Sequence, residues 1–232
     1  MKTAGIIGGL GPVTTAEFYL ELIKRSRRVN TWSYPSLLIC SLPVPFSVER
    51  DMVTYGRGEE EMLKVLSGGV SDLERMGADF AVIPCNTVHI FYDKLKDLIR
   101  VPLLNILTET ARTCYERKWS SVGVLGTKKT LQSRMYADAL ESYGLSPVEL
   151  DEGDQEKLSM DIYRILTGRQ STADRTDMLR MIQLLKEKGA DGVILGCTDI
   201  QLLIHPSDED LPIPAIDSMS CLVDATVREL RE

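Results

Sequence analysis

Two cysteines in the 232-residue chain are set apart by their surroundings. Cys85 and Cys197 each follow a short apolar run, Phe80–Ile83 and Val193–Leu195. Small polar residues come next, Asn86-Thr87 in one case and Thr198-Asp199 in the other. The approach to each is also shared: Gly77-Ala78-Asp79 and Gly189-Ala190-Asp191 stand 112 residues apart, as the cysteines do. The same offset separates Pro102 from Pro214, each 17 residues past its cysteine. A single cysteine after a strand is ordinarily a small buried hydrophobe. Two at repeat-related positions, each beside a threonine, point to function. Cys40, Cys114 and Cys221 have no such partners and read as core residues.

A thiol at the carboxyl end of a parallel strand lies where ligands collect in open α/β sheets. Helix N-termini there offer free N–H groups and partial positive charge. That setting predicts a thiol pKa lowered from roughly 8.5 toward neutrality, together with a cradle for a carboxylate. Two such thiols on opposite faces of one carbon suit proton removal from one face and return on the other, with inversion. Asn86, Thr87, Thr127, Thr130 and Thr198, with backbone N–H groups, are candidates to hold the substrate carboxylate as charge develops. Such a reaction requires neither metal nor pyridoxal cofactor, and no cofactor is expected.

Positioning these groups requires alternating strands and helices. Apolar runs at Ala4–Ile7, Leu37–Cys40, Phe80–Ile83, Leu103–Ile106, Val122–Leu125, Val148–Leu150, Val193–Leu195 and Ala215–Ile216 read as strands. Amphipathic stretches at Thr14–Arg28, Glu59–Met76, Val88–Ile99, Leu131–Tyr143 and Thr176–Lys188 read as helices. Short, nearly continuous apolar strands belong to sheets covered on both faces. Gly5-Ile6-Ile7-Gly8-Gly9 is loosely matched by Gly123-Val124-Leu125-Gly126-Thr127. The repetition predicts an α/β protein of two similar domains with mostly parallel sheets. A pseudo-two-fold axis would relate them, with the active site in the cleft between.

Composition narrows the partners. A net charge of −7 leaves no large basic footprint for nucleic acid. No apolar run is long enough for a membrane span, and the N-terminus reads as a strand, so a cytoplasmic setting is expected. Five widely spaced cysteines with no Cys-x-x-Cys, and two histidines, argue against disulfide frameworks and zinc. Gly8-Gly9-Leu10-Gly11-Pro12 has Thr14 where a dinucleotide fingerprint needs its third glycine. A tight turn lining the cleft is the simpler reading. His89 lies one helical turn after Cys85 and reads first as a packed histidine.

Pro84-Cys85-Asn86-Thr87-Val88-His89 and Gly196-Cys197-Thr198-Asp199 resemble the paired cysteine motifs of the aspartate/glutamate racemase superfamily. Gly8-Gly9-Leu10-Gly11-Pro12 and Gly126-Thr127-Lys128-Lys129-Thr130 resemble loops of its aspartate racemase branch. The resemblance spans essentially the whole chain. It implies cofactor-independent racemisation of an amino acid, aspartate or a broader set, by the two cysteines, and a homodimer. It implies that Asn86, Thr87, Thr127, Thr130 and Thr198 hold the substrate, with Gly11 in the first loop. It implies that the C-terminal segment returns to the first domain, giving 1–100 plus 208–232 with Cys85 and 101–207 with Cys197.

The departures bear on substrate. Gly-Leu-Gly and Asp199 stand where cell-wall glutamate racemases carry Asp-Ser-Gly and histidine. The arginine that aspartate racemases place soon after a proline is displaced here to Arg50, beside an acid, and a lysine of theirs falls on Thr167. Pro43-Val44-Pro45-Phe46 and Ile216–Cys221 resemble broad-specificity bacterial racemases instead. Loss of distal cations favours neutral or basic side chains over aspartate, with Arg50 a candidate to swing in. The side-chain pocket is expected between Pro45–Arg50 and Tyr163–Thr167. Hydantoin racemisation, maleate isomerisation on the same scaffold, and non-catalytic amino-acid binding are the alternatives.

Overall fold

A computed structural model describes residues 2–29 and 33–231, with Val53 and Thr54 described in backbone only. The chain folds in the order β1 (Thr3–Gly8), α1 (Pro12–Val29), β2 (Ser36–Ser41), α2 (Phe46–Arg50), α3 (Glu59–Arg75), β3 (Phe80–Val82), α4 (Tyr92–Leu98) and α5 (Ile106–Glu116). The second half follows as β4 (Ser121–Leu125), α6 (Lys128–Gln132), α7 (Met135–Ser142), β5 (Ser146–Val148), α8 (Glu152–Leu166), α9 (Thr172–Glu187), β6 (Gly192–Leu195), β7 (Ala215–Asp217) and α10 (Ser218–Glu229). The strands form two wholly parallel sheets, ordered β2-β1-β3 and β5-β4-β6-β7.

The two sheets repeat one plan. In each, the first strand of the half is central, the second strand lies on one side, and the cysteine-bearing strand lies on the other. Leu103–Ile106 does not form the expected strand. It contributes one parallel bridge, Leu103 to Ala81, and Ile106 already begins α5. Its counterpart 112 residues on is β7, which pairs Ala215 with Val193. The Pro102 and Pro214 carbonyls accept the matching N–H groups, from Ala81 at 2.8 Å and Val193 at 3.0 Å.

The Gly-Ala-Asp repeat has a structural cause. Gly77 and Gly189 follow helices α3 and α9 at φ +88° and +94°, a left-handed turn that favours glycine. Ala78 and Ala190 are buried. Asp79 accepts the Thr3 N–H at 2.6 Å and donates its own N–H to the Thr3 carbonyl at 2.9 Å. Asp191 does the same for Ser121, at 2.9 and 2.8 Å. Each motif therefore ends a helix and ties the next strand to the central one.

Period-two alternation sorts side chains between the sheet faces. Ile7, Ala81 and Ile83 pack with α3 and α4 residues such as Leu66, Leu73 and Leu95. Leu125, Val193 and Leu195 pack with Leu158 and Ile162 of α8 and Met178 and Leu185 of α9. The opposite faces, with Ile6, Val82, Val124 and Ile194, share one core filled by α1, α5, α7 and α10. Replacing a fully buried leucine of these cores, such as Leu73 or Leu185, by alanine costs about 2–5 kcal/mol.

The tail 208–232 does not sit wholly with the first half. Strand β7 extends the second sheet, while α10 packs on α1 and α5. Helix α5 in turn contacts α7 of the second half. The helix after the fourth strand position of each half thus packs on a helix of the other half, α5 on α7 and α10 on α1. No helix among the described residues is long and apolar enough to cross a membrane.

Candidate active site

Strands β1, β3, β4 and β6 end around one cavity. Leu10 lies past the end of β1, Cys85, Asn86, Thr87 and Val88 past β3, Thr127 past β4, and Cys197, Thr198 and Asp199 past β6. Glu49, Met52, Met62 and Leu166 close the remaining walls. Six of the residues proposed from sequence therefore meet: Cys85, Asn86, Thr87, Thr127, Cys197 and Thr198.

The chain after each cysteine makes a five-residue 3-10 turn, Thr87–Phe91 and Thr198–Leu202. The N–H groups of Thr87 and Val88 point to the Cys85 sulfur, and that of Asp199 to Cys197. These bonds favour thiolates, as expected. The balance nevertheless runs the other way. Burial pushes the Cys85 thiol up to about 12, with Asp199 and Glu49 adding repulsion. Burial, and then the Asp199 charge, push Cys197 well above its ordinary value. The predicted depression fails because a single tight turn carries little dipole, whereas burial and the nearby carboxylates of Asp199 and Glu49 oppose the thiolate.

Asp199 is the group that spacing alone did not single out. It lies 112 residues after Thr87, at the same place in the repeat. Its Oδ1 accepts the Thr14 hydroxyl at 2.8 Å, and its Oδ2 lies 3.8 Å from the Cys197 Sγ. Burial raises its pKa. Thr14 is the residue that spoils the glycine fingerprint. The first loop thus brings a hydroxyl to the second cysteine's turn. Gly11 is not part of the cavity wall. It flanks it, with Asp199 Oδ1 3.8 Å from where its Cβ would stand, and its carbonyl accepts the Thr15 N–H at 3.1 Å.

Three buried threonines form a hydroxyl triangle. Thr87 and Thr127 are 3.2 Å apart at Oγ1, Thr87 and Thr130 3.3 Å, and Thr127 and Thr130 2.9 Å. Thr127 also caps α6 by accepting the Thr130 N–H at 3.2 Å. Thr130 stands behind the other two rather than on the cavity wall. Asn86 is committed to protein partners. Its Oδ1 accepts from Tyr136 Oη at 2.6 Å, and its Nδ2 donates to Ser218 Oγ at 2.9 Å. Ser218 Oγ donates to the Leu195 carbonyl at 3.0 Å, two residues before Cys197. This chain of bonds joins the two cysteine loops.

His89 is a packed histidine. Nδ1 lies 2.7 Å from the Cys85 carbonyl and Nε2 accepts the Ile106 N–H at 3.3 Å. The neutral ring, protonated on Nδ1, satisfies both. Burial lowers its pKa to about 4.

Arg50 lies outside the cavity. It is exposed and pairs with Asp51, with Nη2 to Oδ1 2.8 Å. It lines an adjoining groove with Phe46, Ser47, Glu49, Tyr163, Leu166 and Thr167. Glu49 and Leu166 belong to both groove and cavity. The two segments expected to form a side-chain pocket therefore do meet, next to the thiols. Among the described residues, no lysine or arginine lines the cavity itself.

Known proteins are similar to this chain over nearly all of its length. The profile of the Asp/Glu/Hydantoin racemase family matches residues 7–226. The broad specificity amino-acid racemase RacX of Bacillus subtilis is 30% identical over 230 residues, covering 96% of each chain. The crystal structure of an aspartate racemase homologue from Pyrococcus horikoshii superposes with a TM-score of 0.81 at 29% identity, covering both chains fully. The Picrophilus torridus aspartate racemase shares the fold, with a TM-score of 0.81 at 24% identity, over 100% of this chain and 95% of its own. Two parallel sheets of repeated plan, a cysteine at the end of the corresponding strand in each, and a match from Ile7 to Thr226 place this chain in the Asp/Glu/Hydantoin racemase family.

Proposed function

We propose that the protein is a cofactor-independent amino-acid racemase in which Cys85 and Cys197 exchange the α-proton from opposite faces. The observation that carries this reading is the convergence of both cysteines on one cavity also lined by Thr87, Thr127, Thr198 and Asp199. One cysteine, as thiolate, takes the Cα proton. The other, as thiol, gives a proton to the opposite face. Turnover leaves the two protonation states exchanged.

The electrostatics support this division of labour. Thr87 and Thr127, backed by Thr130, offer hydroxyl protons to the α-carboxylate, and the turn N–H groups assist as charge develops there. Asp199, held by Thr14, accepts the α-ammonium. The Asp199 charge opposes ionisation of both thiols in the free enzyme, so neutralising it with the ammonium eases thiolate formation when substrate is present. A thiolate of raised pKa is also a stronger base toward a weak carbon acid, at the cost of its population.

No lysine or arginine among the described residues lines the cavity to meet a distal carboxylate, so the reading favours amino acids whose side chains carry no negative charge. It includes a homodimer, a cytoplasmic setting and a catalytic cleft between two units, one built on the β2-β1-β3 sheet and carrying Cys85, the other on the β5-β4-β6-β7 sheet and carrying Cys197. The test is chiral chromatography of both enantiomers of aspartate, glutamate, alanine, serine, lysine and arginine. Approach to an equal mixture from either side for one or more supports the reading, and no interconversion of any of them contradicts it.

A further inference from the structure

Tyr136 of α7 is almost wholly buried yet has no part in the chemistry above. Its hydroxyl donates to Asn86 Oδ1 at 2.6 Å, and Asn86 directly follows Cys85. Its ring edge meets Gly196, which directly precedes Cys197. There Cε2 lies 3.1 Å from where a Gly196 Cβ would stand. One rigid side chain therefore reaches from the neighbour of one cavity cysteine to the neighbour of the other. The ring belongs to the apolar core shared by the two sheets. A hydroxyl buried in such a core is costly unless it is bonded, and phenylalanine would fill nearly the same space without it.

Ser218, the first residue of α10, makes a second tie and is fully buried. The Leu195 carbonyl can only accept, so the Ser218 hydroxyl donates to it at 3.0 Å. The Ser218 oxygen accepts from Asn86 Nδ2 at 2.9 Å. The Asn86 amide is thus gripped on both sides, its oxygen by Tyr136 and its nitrogen by Ser218. The two grips lead to Gly196 and Leu195, just ahead of Cys197. Neither Tyr136 nor Ser218 lines the cavity, so neither meets the substrate. Taking a proton from Cα needs one thiol. Inverting Cα needs the second thiol in line on the far face, and a misplacement of about 1 Å costs on the order of 10²-fold. From this we infer that Tyr136 and Ser218 are positioning residues that, through Asn86, hold the Cys85 loop in register with the Cys197 loop. Proton removal on one face is then followed at once by delivery on the other. The inference rests on the racemase reading and adds to it the parts that align the two thiols.

The test follows the L-enantiomers of aspartate, glutamate, alanine, serine, lysine and arginine in D₂O, reading inversion and deuterium at Cα of the recovered substrate. One thiolate takes the Cα proton, and the electron pair left on Cα is shared with the carboxylate. With the second thiol in line, a deuteron arrives on the far face. With it out of line, the first thiol has time to exchange its proton with D₂O and returns a deuteron to the original face. The wild type should leave early recovered substrate unlabelled. Tyr136→Phe and Ser218→Ala should each slow inversion by about tenfold or more and label recovered substrate at least as fast as they invert it. The ratio of label to inversion is independent of the active fraction of each preparation, so partial unfolding does not obscure it. Thr226→Val is the control. It removes an equally buried α10 hydroxyl, bonded to the Leu222 carbonyl at 2.7 Å and outside this chain of bonds, and should leave substrate unlabelled. Recovered substrate as free of deuterium as the wild type's in either variant, loss of label and inversion together, or equal labelling by Thr226→Val overturns the positioning role alone. A wild type that inverts none of the six, or that labels its substrate as fast as it inverts it, overturns the two-thiol racemase reading, and this inference with it.

Discussion

The Asp199 carboxylate lies 3.8 Å from the Cys197 sulfur and is anchored at 2.8 Å by Thr14 from the other half of the molecule. Its charge raises the pKa of both cavity thiols. Asp199→Asn removes that charge while keeping the side-chain shape. The alkylation of Cys197 by iodoacetamide should then show its pH midpoint at lower pH than in the wild type. Racemisation should fall by about 10²-fold because the α-ammonium loses its partner. Faster alkylation combined with slower turnover separates this role from a structural one, which would not make the thiol more reactive. An unshifted alkylation profile contradicts it.

The raised thiols set the pH dependence of both activity and stability. With Cys85 pushed up to about 12, the free enzyme at neutral pH holds little thiolate. Log kcat/KM should climb with pH at about tenfold per unit between about pH 7 and 9, and level off above that as the substrate ammonium loses its proton. Stability moves oppositely. Cys85, Cys114 and Cys221, pushed to about 12, 12 and 11, keep their protons in the folded state above pH 9, where the unfolded chain has lost them. Unfolding therefore releases protons, and stability falls as pH rises above 9. Urea midpoints at pH 8 and pH 10 check this, and equal midpoints contradict it.

His89 gives the opposite window. Its folded-state pKa of about 4 lies below the ordinary 6.5. Between those values the unfolded chain takes up a proton that the buried ring refuses, so stability is lost as pH falls from 6.5 toward 4. The full effect is about 3 kcal/mol at most. In His89→Gln the slope of stability against pH across this window should be shallower, as read from thermal midpoints at pH 7 and pH 5. An unchanged slope would assign the wild-type loss to other groups.

The Cys85/Cys197 repeat, the Gly-Ala-Asp turns and the Pro102/Pro214 positions were all legible in the sequence because each is a local backbone requirement that recurs. Gly77 and Gly189 must take positive φ, and Asp79 and Asp191 must reach back to Thr3 and Ser121. The threonines Thr87 and Thr127 were found by their closeness to strand ends, and both line the cavity. What was hidden depends on how distant segments pack. Nothing local distinguishes Leu103, which makes one bridge, from Ala215, which begins a strand. The exchange of α5 and α10 between halves is set by their contacts with α7 and α1. Helix-end reasoning captured the N–H groups around the sulfurs but not their burial beside Asp199, which reverses the thiol shift. Arg50 was singled out by its charge, yet Asp51 holds it outside the cavity, and Glu49 next to it lies at the junction instead.

The most direct test of two thiols acting from opposite faces is proton NMR of a racemised amino acid in D₂O at early times. Wild-type enzyme should place deuterium at Cα of the product enantiomer while the remaining substrate enantiomer keeps its proton, from either direction. Cys85→Ser and Cys197→Ser should each reduce inversion by at least about 10²-fold. Early deuterium in the unreacted substrate at the rate of inversion, or inversion that survives loss of either cysteine, would contradict the two-thiol account.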